Sequence, residues 1–470
     1  MNILLVRPDP GNDRFGLGPF FCVEPLGMLY IGAALRAAGH VVELVDLRFG
    51  GSVARSARRL HADIVGISCM HALEYDMALA CATAVKRAIP SAHVVLGGHA
   101  AAAFPAPLLH RAVDSICTGD GETVMPLLVA ALARGESIEG IAGLQLPRDG
   151  VLVATQGEAA TDGLEKVGVP ARDLVAGHRH RYHCLLFKPV WLVETARGCP
   201  FRCDFCSVWQ LHRRKFRSRS IGQVVADMEA VGDSVFIVDD LFWHEPERSL
   251  ELARELLRRG VRKKWILVQT RTDLAVRHAN LLEAWRPLAR DFDIFFGLEA
   301  ATDQNLDKVV KDNDTADTIE AARVARSLRY GVTGNFLVDP DWEESDFEKL
   351  WSFVDEHDFH RAGYTILTPL PGTSMFARLE DKLKGQPWFK YDMHHALWEP
   401  RLGARRFFEL YAQTWKRSIL NIGGRKSLTD WMRQVELRQA PYIVRVMLRT
   451  QKMMRAGAYL REHECAAAAP

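Results

Sequence analysis

The chain has 470 residues, 48% hydrophobic and 25% charged, a globular balance long enough for roughly three folding units with cores of their own. Its 60 Lys and Arg against 58 Asp and Glu leave a formal net charge of +2, which excludes a wholesale basic footprint, so no nucleic-acid partner is expected. No apolar run approaches the ~18 residues of a membrane span, and nine cysteines in a chain expected to be cytoplasmic argue against a disulfide framework.

The opening Met-Asn-Ile-Leu-Leu-Val-Arg-Pro is too short and wrongly flanked for a signal peptide and is predicted to be a first β-strand. Over residues 1–150, short apolar runs alternate with helical stretches, the pattern of βαβ units. The predicted buried parallel strands are residues 3–6, 41–45, 64–68, 94–96 and 115–117, and residues 26–38 and 77–89 carry helical periodicity. The expected fold class is α/β: an amino-terminal doubly wound parallel sheet, then a partial (β/α) barrel, then a helical carboxyl-terminal region. Doubly wound sheets bind ligands beyond the carboxyl ends of their strands. Those ends read Arg7-Pro8-Asp9, Ser68-Cys69-Met70-His71, Gly97-Gly98-His99 and Gly119-Asp120-Gly121-Glu122. Turn chemistry explains any one glycine pair, but their recurrence at corresponding positions marks a place where a large ligand approaches the backbone.

Residues 151–184 are the predicted linker, polar and glycine-containing around 156–168. A second βα series follows over 185–375, with strands at 190–194, 235–238, 266–269, 294–298, 332–338 and 364–367. Its regularity predicts a full or partial parallel barrel whose chemistry sits on the carboxyl-end rim. Residues 376–470 are helical and, from 401 on, basic, with 14 Lys and Arg against 5 Asp and Glu. Helices at 405–420 and 429–460 interleave Phe407, Phe408, Trp415, Trp431 and Met447 with arginines. Such helices lie either on an anionic membrane surface or against the barrel with their arginines outward.

Directly after the first barrel strand, Thr195-Ala196-Arg197-Gly198-Cys199-Pro200-Phe201-Arg202-Cys203-Asp204-Phe205-Cys206 spaces three cysteines as C-x3-C-x2-C. A four-iron cluster normally takes four thiolates. Three leave one iron open to a ligand, which separates a catalytic cluster from one that only passes electrons. A zinc site would need a fourth ligand, for which His212 or Cys184 is available, and usually a second C-x2-C pair, which the sequence lacks. The other six cysteines are scattered and read as small buried hydrophobes.

With Phe205 just before the third cysteine, this motif resembles the radical S-adenosylmethionine (SAM) superfamily. The resemblance implies a 4Fe–4S cluster on Cys199, Cys203 and Cys206 whose open iron chelates SAM. One electron then cleaves SAM to a 5′-deoxyadenosyl radical that abstracts a hydrogen atom. A reducing partner such as a ferredoxin or flavodoxin is implied with it. The resemblance also places SAM contacts on the other strand ends: Asp239 and Asp240 after the second, where the usual Gly-Gly-Glu is absent, and Arg271 with Asp273 after the third. Glu299, Asp339 and the Pro369-Leu370-Pro371-Gly372-Thr373 turn follow the fourth, fifth and sixth.

The amino-terminal segment resembles the cobalamin-binding domain that precedes the radical SAM domain in a large subclass. The matching residues are Pro25-Leu26-Gly27, Leu29-Tyr30, Gly39-His40, Asp46, Gly97-Gly98-His99 and Gly119-Asp120-Gly121-Glu122. The resemblance implies cobalamin contacts from Pro8, Ser68, Gly97, Gly98, Gly119, Gly121 and Glu122. The D-x-H-x-x-G motif that supplies a histidine to cobalt elsewhere is absent, so His71 and His99 are expected as turn or core histidines and the cobalt without a histidine ligand. The two cofactors together imply methyl transfer from SAM through methylcobalamin to an unactivated sp3 carbon. Residues 5–12, 239–244 and 335–342 resemble hopanoid C-3 methylases, which implies a small-molecule lipid substrate and peripheral contact with the inner face of the membrane.

Two alternatives stay open: a cyclase or rearrangement enzyme acting on a porphyrin-type substrate, and a non-enzymatic Fe–S and corrinoid-binding protein. RNA methylthiolation would want another cysteine trio near the amino terminus, and Cys22, Cys69, Cys81 and Cys117 are too dispersed for that.

Overall fold

The two series of apolar runs fold into two parallel sheets joined by a cemented seam. The computed structural model describes residues 1–11, 20–156, 163–164, 167–420 and 440–465. In the first sheet β1 (Asn2–Arg7), β2 (Val41–Asp46), β3 (Ile64–Ser68), β4 (His93–Gly97) and β5 (Ser115–Cys117) run parallel in the order β2-β1-β3-β4-β5. Every residue of β3 is buried, as a strand covered on both faces requires. Helices Leu26–Ala37 and Gly121–Arg134 pack together on one face, and Val53–Leu60 with Tyr75–Ala88 on the other. The strand order reverses between β1 and β3, and such a reversal opens a ligand crevice at the carboxyl ends of the two strands.

The sheet is not purely parallel. A hairpin of β6 (Leu144–Arg148) and β7 (Val151–Ala154) adds two antiparallel strands beside β5. The strand β7 falls in the stretch predicted as linker, because its outward residues are exposed and give no buried-strand signal. Within that stretch, residues 157–162 and 165–166 lie outside the described residues, and Arg172–Arg181 forms 3-10 turns.

The second sheet has six parallel strands in sequence order: β8 (Trp191–Val193), β9 (Ser234–Ile237), β10 (Lys263–Thr270), β11 (Ala289–Glu299), β12 (Gly331–Val338) and β13 (Gly363–Ile366). The first and last strands do not pair, so the barrel is partial. Alternation within β10 sends Ile266 and Val268 to the helices outside, while Trp265 and Leu267 pack inward with Phe187, Tyr182 and Leu29. Phe187 stacks on Trp265 with ring centroids 4.0 Å apart, and the Trp265 indole N–H donates to Asp293 at 2.7 Å. The bottom of the barrel is therefore filled, and open space is left for the rim.

Leu29 belongs to a helix of the first sheet, so the two units share a core. Buried ion pairs lock the junction. Arg179 reaches Glu24 at 2.5 Å, Glu24 accepts the Leu192 N–H at 2.8 Å, and Arg172 and Arg219 both grip Asp227. Breaking such a pair typically costs about 3–5 kcal/mol because it strands a buried charge.

In the carboxyl-terminal region, helix Gly403–Ile419 buries Phe407, Phe408, Tyr411 and Trp415, so it packs on the barrel rather than on a membrane. Phe408 stacks on Tyr459 of helix Ala456–Cys465. Helix Ala440–Thr450 buries Ile443 and Val446 but exposes Val444, Met447 and Leu448. Trp431 lies outside the described residues. No helix among the described residues is long and apolar enough to cross a membrane.

Candidate functional site

After β8 the chain turns at Thr195 into a two-residue strand, Ala196–Arg197, paired antiparallel with Arg217–Ser218. The loop pinched off between them carries the three cysteines. Gly198 stands at its neck with φ +97°, and a Cβ there would overlap the carbonyl oxygen of Lys215, so no other residue fits. Asp240 accepts the Gly198 N–H at 2.8 Å, and Asp239 accepts the Thr195 N–H at 2.6 Å and its hydroxyl at 2.5 Å. The acidic pair expected among the SAM contacts is thus spent on anchoring this neck, and Asp239 is only 2% exposed. Burial raises the Asp239 carboxyl to about 7 against the pull of Thr195, and the Asp240 carboxyl to about 6 against that of the Gly198 N–H.

Cys199, Cys203 and Cys206 are all half-buried free thiols. Burial pushes Cys199 to about 11 and Cys206 to about 12. Burial also raises Cys203, while Lys311 pulls it down, Glu299 pushes it up and Arg271 pulls it down again. Thiolates in such a setting need a cation to ionise, and iron supplies one. A cubane's thiolates bind three different irons and stand apart; among the described residues no three His, Cys, Asp or Glu side chains close on a single ion. The donor set fits the cluster.

The rim around Cys203 holds two buried polar atoms without a hydrogen-bond partner, Arg271 Nη1 and Glu299 Oε2. Arg271 lies over the Phe201 ring at 3.8 Å, donates through Nε to Asp273 at 2.8 Å and bonds the Asp312 carbonyl. Asp273 is thereby occupied. Glu299 follows a bulge in β11, with φ +56°, and its Oε1 meets Lys311 Nζ at 2.8 Å. Lys311 is 4% exposed and also donates to the Gly297 carbonyl at 2.6 Å. Orphaned buried donors and acceptors are rare, and the zwitterionic end of SAM offers partners for both. A cavity of ≈ 160 Å³ opens beside them, lined by Glu299, Val309, Leu337, Asp339, Leu367 and Met375. Phe205 packs against Val309, Leu367 and Met375, forming the apolar wall of that region. Pro369 is buried, and Gly372 in its turn abuts the carbonyl of Ala103 from the first domain.

Contacts across the seam bring the first domain onto the cluster loop. His99 opens the helix His99–Ala103, and its Nε2 meets the hydroxyl of Ser207, the residue after Cys206, at 2.6 Å. Burial, and next to it His71, lowers the His99 imidazole to about 4. Arg197, beside the motif, contacts Glu194, Asp120 and Glu122 at 2.8, 3.0 and 2.8 Å, and Arg217 adds a 2.5 Å contact to Asp120. Glu122, expected against cobalamin, is instead part of this interdomain ion network. Gly121 packs against Ile31, and the Gly119 N–H donates to the Gly143 carbonyl at 3.2 Å, so these two glycines meet protein, while a cavity of ≈ 380 Å³ opens beside Thr118, Gly143 and Ser207.

The other expected cobalamin residues do converge. Pro8, Ser68, Gly97 and Gly98 stand at the ends of β1, β3 and β4 around the strand-order reversal. Gly98 has φ +113°, and a Cβ would come within 2.7 Å of the Cys69 carbonyl oxygen, so the backbone here is bare by necessity. His71 is not a core histidine. Its side chain is exposed to solvent, yet protein surrounds it deeply enough that burial lowers its basicity. This cradle of bare backbone beside the strand-order reversal fits a corrinoid.

The sequence reading missed Lys311, Ser207, Arg197 and Arg217. Arg197 and Ser207 flank the cysteine motif, but their partners lie far away in sequence, and nothing local marks Lys311 as buried.

Comparisons with known proteins agree with the two-domain fold. Residues 19–129 match the B12 binding domain and residues 193–354 the radical SAM superfamily. The chain is 29% identical over 418 residues to the hopanoid C-3 methylase of Methylococcus capsulatus, covering 87% of this chain and 78% of that one. It is 27% identical over 425 residues to the anaerobic magnesium-protoporphyrin IX monomethyl ester cyclase of Cereibacter sphaeroides, covering 85% and 67%. Among solved structures, the cobalamin-dependent SAM radical enzyme OxsB superposes with TM-score 0.71 at 15% identity, over 95% of this chain and 72% of that one. The radical SAM methyltransferase TsrM from Kitasatospora setae does so with TM-score 0.65 at 17% identity, over 82% and 78%.

Proposed function

We propose that this enzyme, which joins a B12-binding domain to a radical SAM domain, is a cobalamin-dependent methyltransferase that methylates an unactivated sp3 carbon of a polycyclic lipid, C-3 of a hopanoid. Its cofactors are a 4Fe–4S cluster, SAM and cobalamin. When bound, they supply a hydrogen-abstracting radical and a methyl group carried on cobalt. The carrying observation is the His99–Ser207 contact, which joins the glycine-rich strand ends of the first domain directly to the cysteine loop.

In this reading Cys199, Cys203 and Cys206 hold the cluster, and Arg271, Glu299 and Lys311 receive the amino-acid end of SAM. The ≈ 160 Å³ cavity beyond Glu299 takes part of the adenosyl group. The cradle at Pro8, Ser68, Gly97 and Gly98 holds the corrinoid. Phe205, Leu337 and Leu367 keep water from the radical path. The lipid assignment is supported by the likeness to the hopanoid C-3 methylase. Val444, Met447 and Leu448, exposed beside Arg445, offer a face for peripheral contact with the membrane that stores such a lipid. A reducing ferredoxin or flavodoxin supplies the electrons.

The test is anaerobic reconstitution with iron, sulfide and hydroxocobalamin, then reductant, SAM and diploptene. 5′-Deoxyadenosine, S-adenosylhomocysteine and a methylated lipid appear together if the proposal holds. Cys203→Ala abolishes SAM cleavage with cobalamin still bound. The similar coverage by the porphyrin-ester cyclase supports a second reading, cyclisation. In that case 5′-deoxyadenosine forms with a porphyrin-type substrate and no methyl group is gained.

A further inference from the structure

We propose that the outer surface of the cysteine loop is the docking site of a small acidic electron-carrier protein, which seats on Arg202, Arg213, Arg214 and Lys215. This rests on the reading of Cys199, Cys203 and Cys206 as cluster ligands and names where the reductant of that cluster meets the chain.

The exposed charge of this loop is one-sided. From Gly198 to Phe216 four residues are exposed, Arg202, Arg213, Arg214 and Lys215, and all four are cations. The segment holds one carboxylate, Asp204, which is 4% exposed and already bound to Arg378 at 2.6 Å. Arg217 and Arg219, which follow, are buried in ion pairs with Asp120 and Asp227 and so serve the interior. A chain with a formal net charge of only +2 thus gathers four exposed positive charges on the loop around its three cysteines. Mixed surface charge needs no explanation, but charge of a single sign on one loop makes a local field that steers an anionic partner.

The cations stand on a fixed turn. Arg213 and Arg214 both adopt left-handed backbone, φ +50° and +60°, which costs a residue with a Cβ about 1–2 kcal/mol. Backbone bonds hold them there: the Arg213 N–H donates to the Gln210 carbonyl at 3.1 Å, the Arg214 N–H to Trp209 at 2.7 Å and the Lys215 N–H to His212 at 2.9 Å. Arg214 Nε also donates to the Pro200 carbonyl at 3.3 Å, which ties the tail of the loop to its head. The Trp209 indole N–H donates to the Cys203 carbonyl at 3.0 Å. The cationic turn and the backbone of the middle cysteine are therefore one hydrogen-bonded unit, and Arg202 is the chain neighbour of that same cysteine.

Position on the cysteine loop selects an electron carrier among anionic partners. Each SAM cleavage consumes one electron, so its donor must approach the cysteines. The step balances as one electron lost by the reduced carrier and one gained by the oxidised cluster, with no atom transferred. Electron-transfer encounters are small and transient, at the low end of interface areas, and charge guides them more than apolar burial does. The loop suits that kind of contact, because none of its apolar residues is exposed among the described residues. Helix Ala440–Thr450 differs in this respect, since its exposed Val444, Met447 and Leu448 suit a lipid face.

The experiment sets the full chain, reconstituted anaerobically with its cluster, against an acidic flavodoxin. Affinity is read by surface plasmon resonance in about 0.05 and 0.5 M salt. Formation of 5′-deoxyadenosine is driven either by reduced flavodoxin or by photoreduced deazaflavin, a small uncharged reductant that needs no docking site. The double variant Arg202→Glu with Arg214→Glu should bind flavodoxin about tenfold or more weakly at low salt and lose a similar factor in flavodoxin-driven rate, with iron content and deazaflavin-driven rate kept within about twofold. Arg202→Glu alone, which leaves the Arg214–Pro200 bond in place, should move the same way by a smaller factor. Wild-type affinity should fall as salt rises. Equal flavodoxin affinity in wild type and double variant would overturn the proposal, as would binding indifferent to salt or a deazaflavin-driven rate that falls in step. Unchanged flavodoxin affinity beside lost binding to phosphatidylglycerol vesicles would also overturn it and give the surface to a membrane. Wild-type protein that holds iron yet cleaves no SAM with deazaflavin would overturn the cluster reading itself, a separate and recognisable failure.

Discussion

Replacing Gly198 by alanine isolates how strongly the neck of the cysteine loop depends on one missing side chain. The backbone there has φ +97°, and the added Cβ would overlap the Lys215 carbonyl oxygen while standing 3.2 Å from His212 Cβ and 3.3 Å from the Lys215 carbonyl carbon. The left-handed backbone alone costs an alanine about 1–2 kcal/mol. Forcing a methyl group into a packed site adds about 1–3 kcal/mol. Neither obstacle is the end of a flexible chain, because the oxygen belongs to the backbone that leads into the paired strand Arg217–Ser218. The sum, about 2–5 kcal/mol, shifts the loop's equilibrium by a factor of ~30 or more. Cys199 is the next residue, so the loss falls on cluster assembly. The assay is iron and sulfide content after anaerobic reconstitution, with the rate of 5′-deoxyadenosine formation. Corrinoid binding by the first domain serves as the folding control. We expect iron retention to fall by about tenfold or more while corrinoid binding stays within about twofold. A Gly198→Ala protein that holds a full cluster and cleaves SAM at the wild-type rate would refute the argument.

Arg197→Ala strands Glu194, Asp120 and Glu122, leaving Arg217 as a cation on Asp120, at a site where the arginine is 14% exposed. Denaturant unfolding should show a loss of about 3–5 kcal/mol, and a change under about 1 kcal/mol would mean that water already screens the network. Lys311→Met leaves Glu299 without its ion-pair partner, so SAM affinity should drop by about tenfold or more at unchanged iron content, one charge-assisted hydrogen bond contributing ~1.5–3 kcal/mol; equal affinity by equilibrium dialysis would remove Lys311 from the SAM site. Asp239 gives a pH signature. Its carboxyl is raised from 3.8 to about 7 in the folded chain, so its contribution to stability is complete below pH 3.8 and is lost as pH rises through 7. The stability of cluster-free wild-type protein minus that of Asp239→Asn should therefore decline between pH 5 and pH 8, and a flat difference would show that Asp239 does not titrate there.

Local patterns made much of this molecule legible. β3 and β5 match their predicted spans because strands buried on both faces are continuous apolar runs that end at turn residues. All six barrel strands were visible for the same reason. The cysteine trio needed only its spacing, since three ligands within eight residues must share a neighbourhood whatever the fold does. The hairpin strand β7 was missed because an exposed edge strand carries no burial pattern. For helix Gly403–Ile419 one amphipathic face had two possible outlets, and only packing against the barrel chose between them.

Side-chain duty is where the tertiary structure decided. Asp239 and Glu122 sit at strand ends where a ligand contact was expected, yet Thr195 and Arg197 reach them first. Those partners are 44 and 75 residues away, and no local pattern encodes a pairing at that range. His71 and His99 look alike in sequence, each following a strand end of the same sheet. Folding commits His99 to Ser207 and leaves the His71 ring open, because only the seam between the domains determines which histidine meets a neighbour. The sequence by itself thus determined the two sheets, the cysteine loop and the edge at which ligands gather. Which polar groups hold the protein together and which remain for cofactors depended on contacts between segments far apart in the chain, and those exist only once the chain has packed.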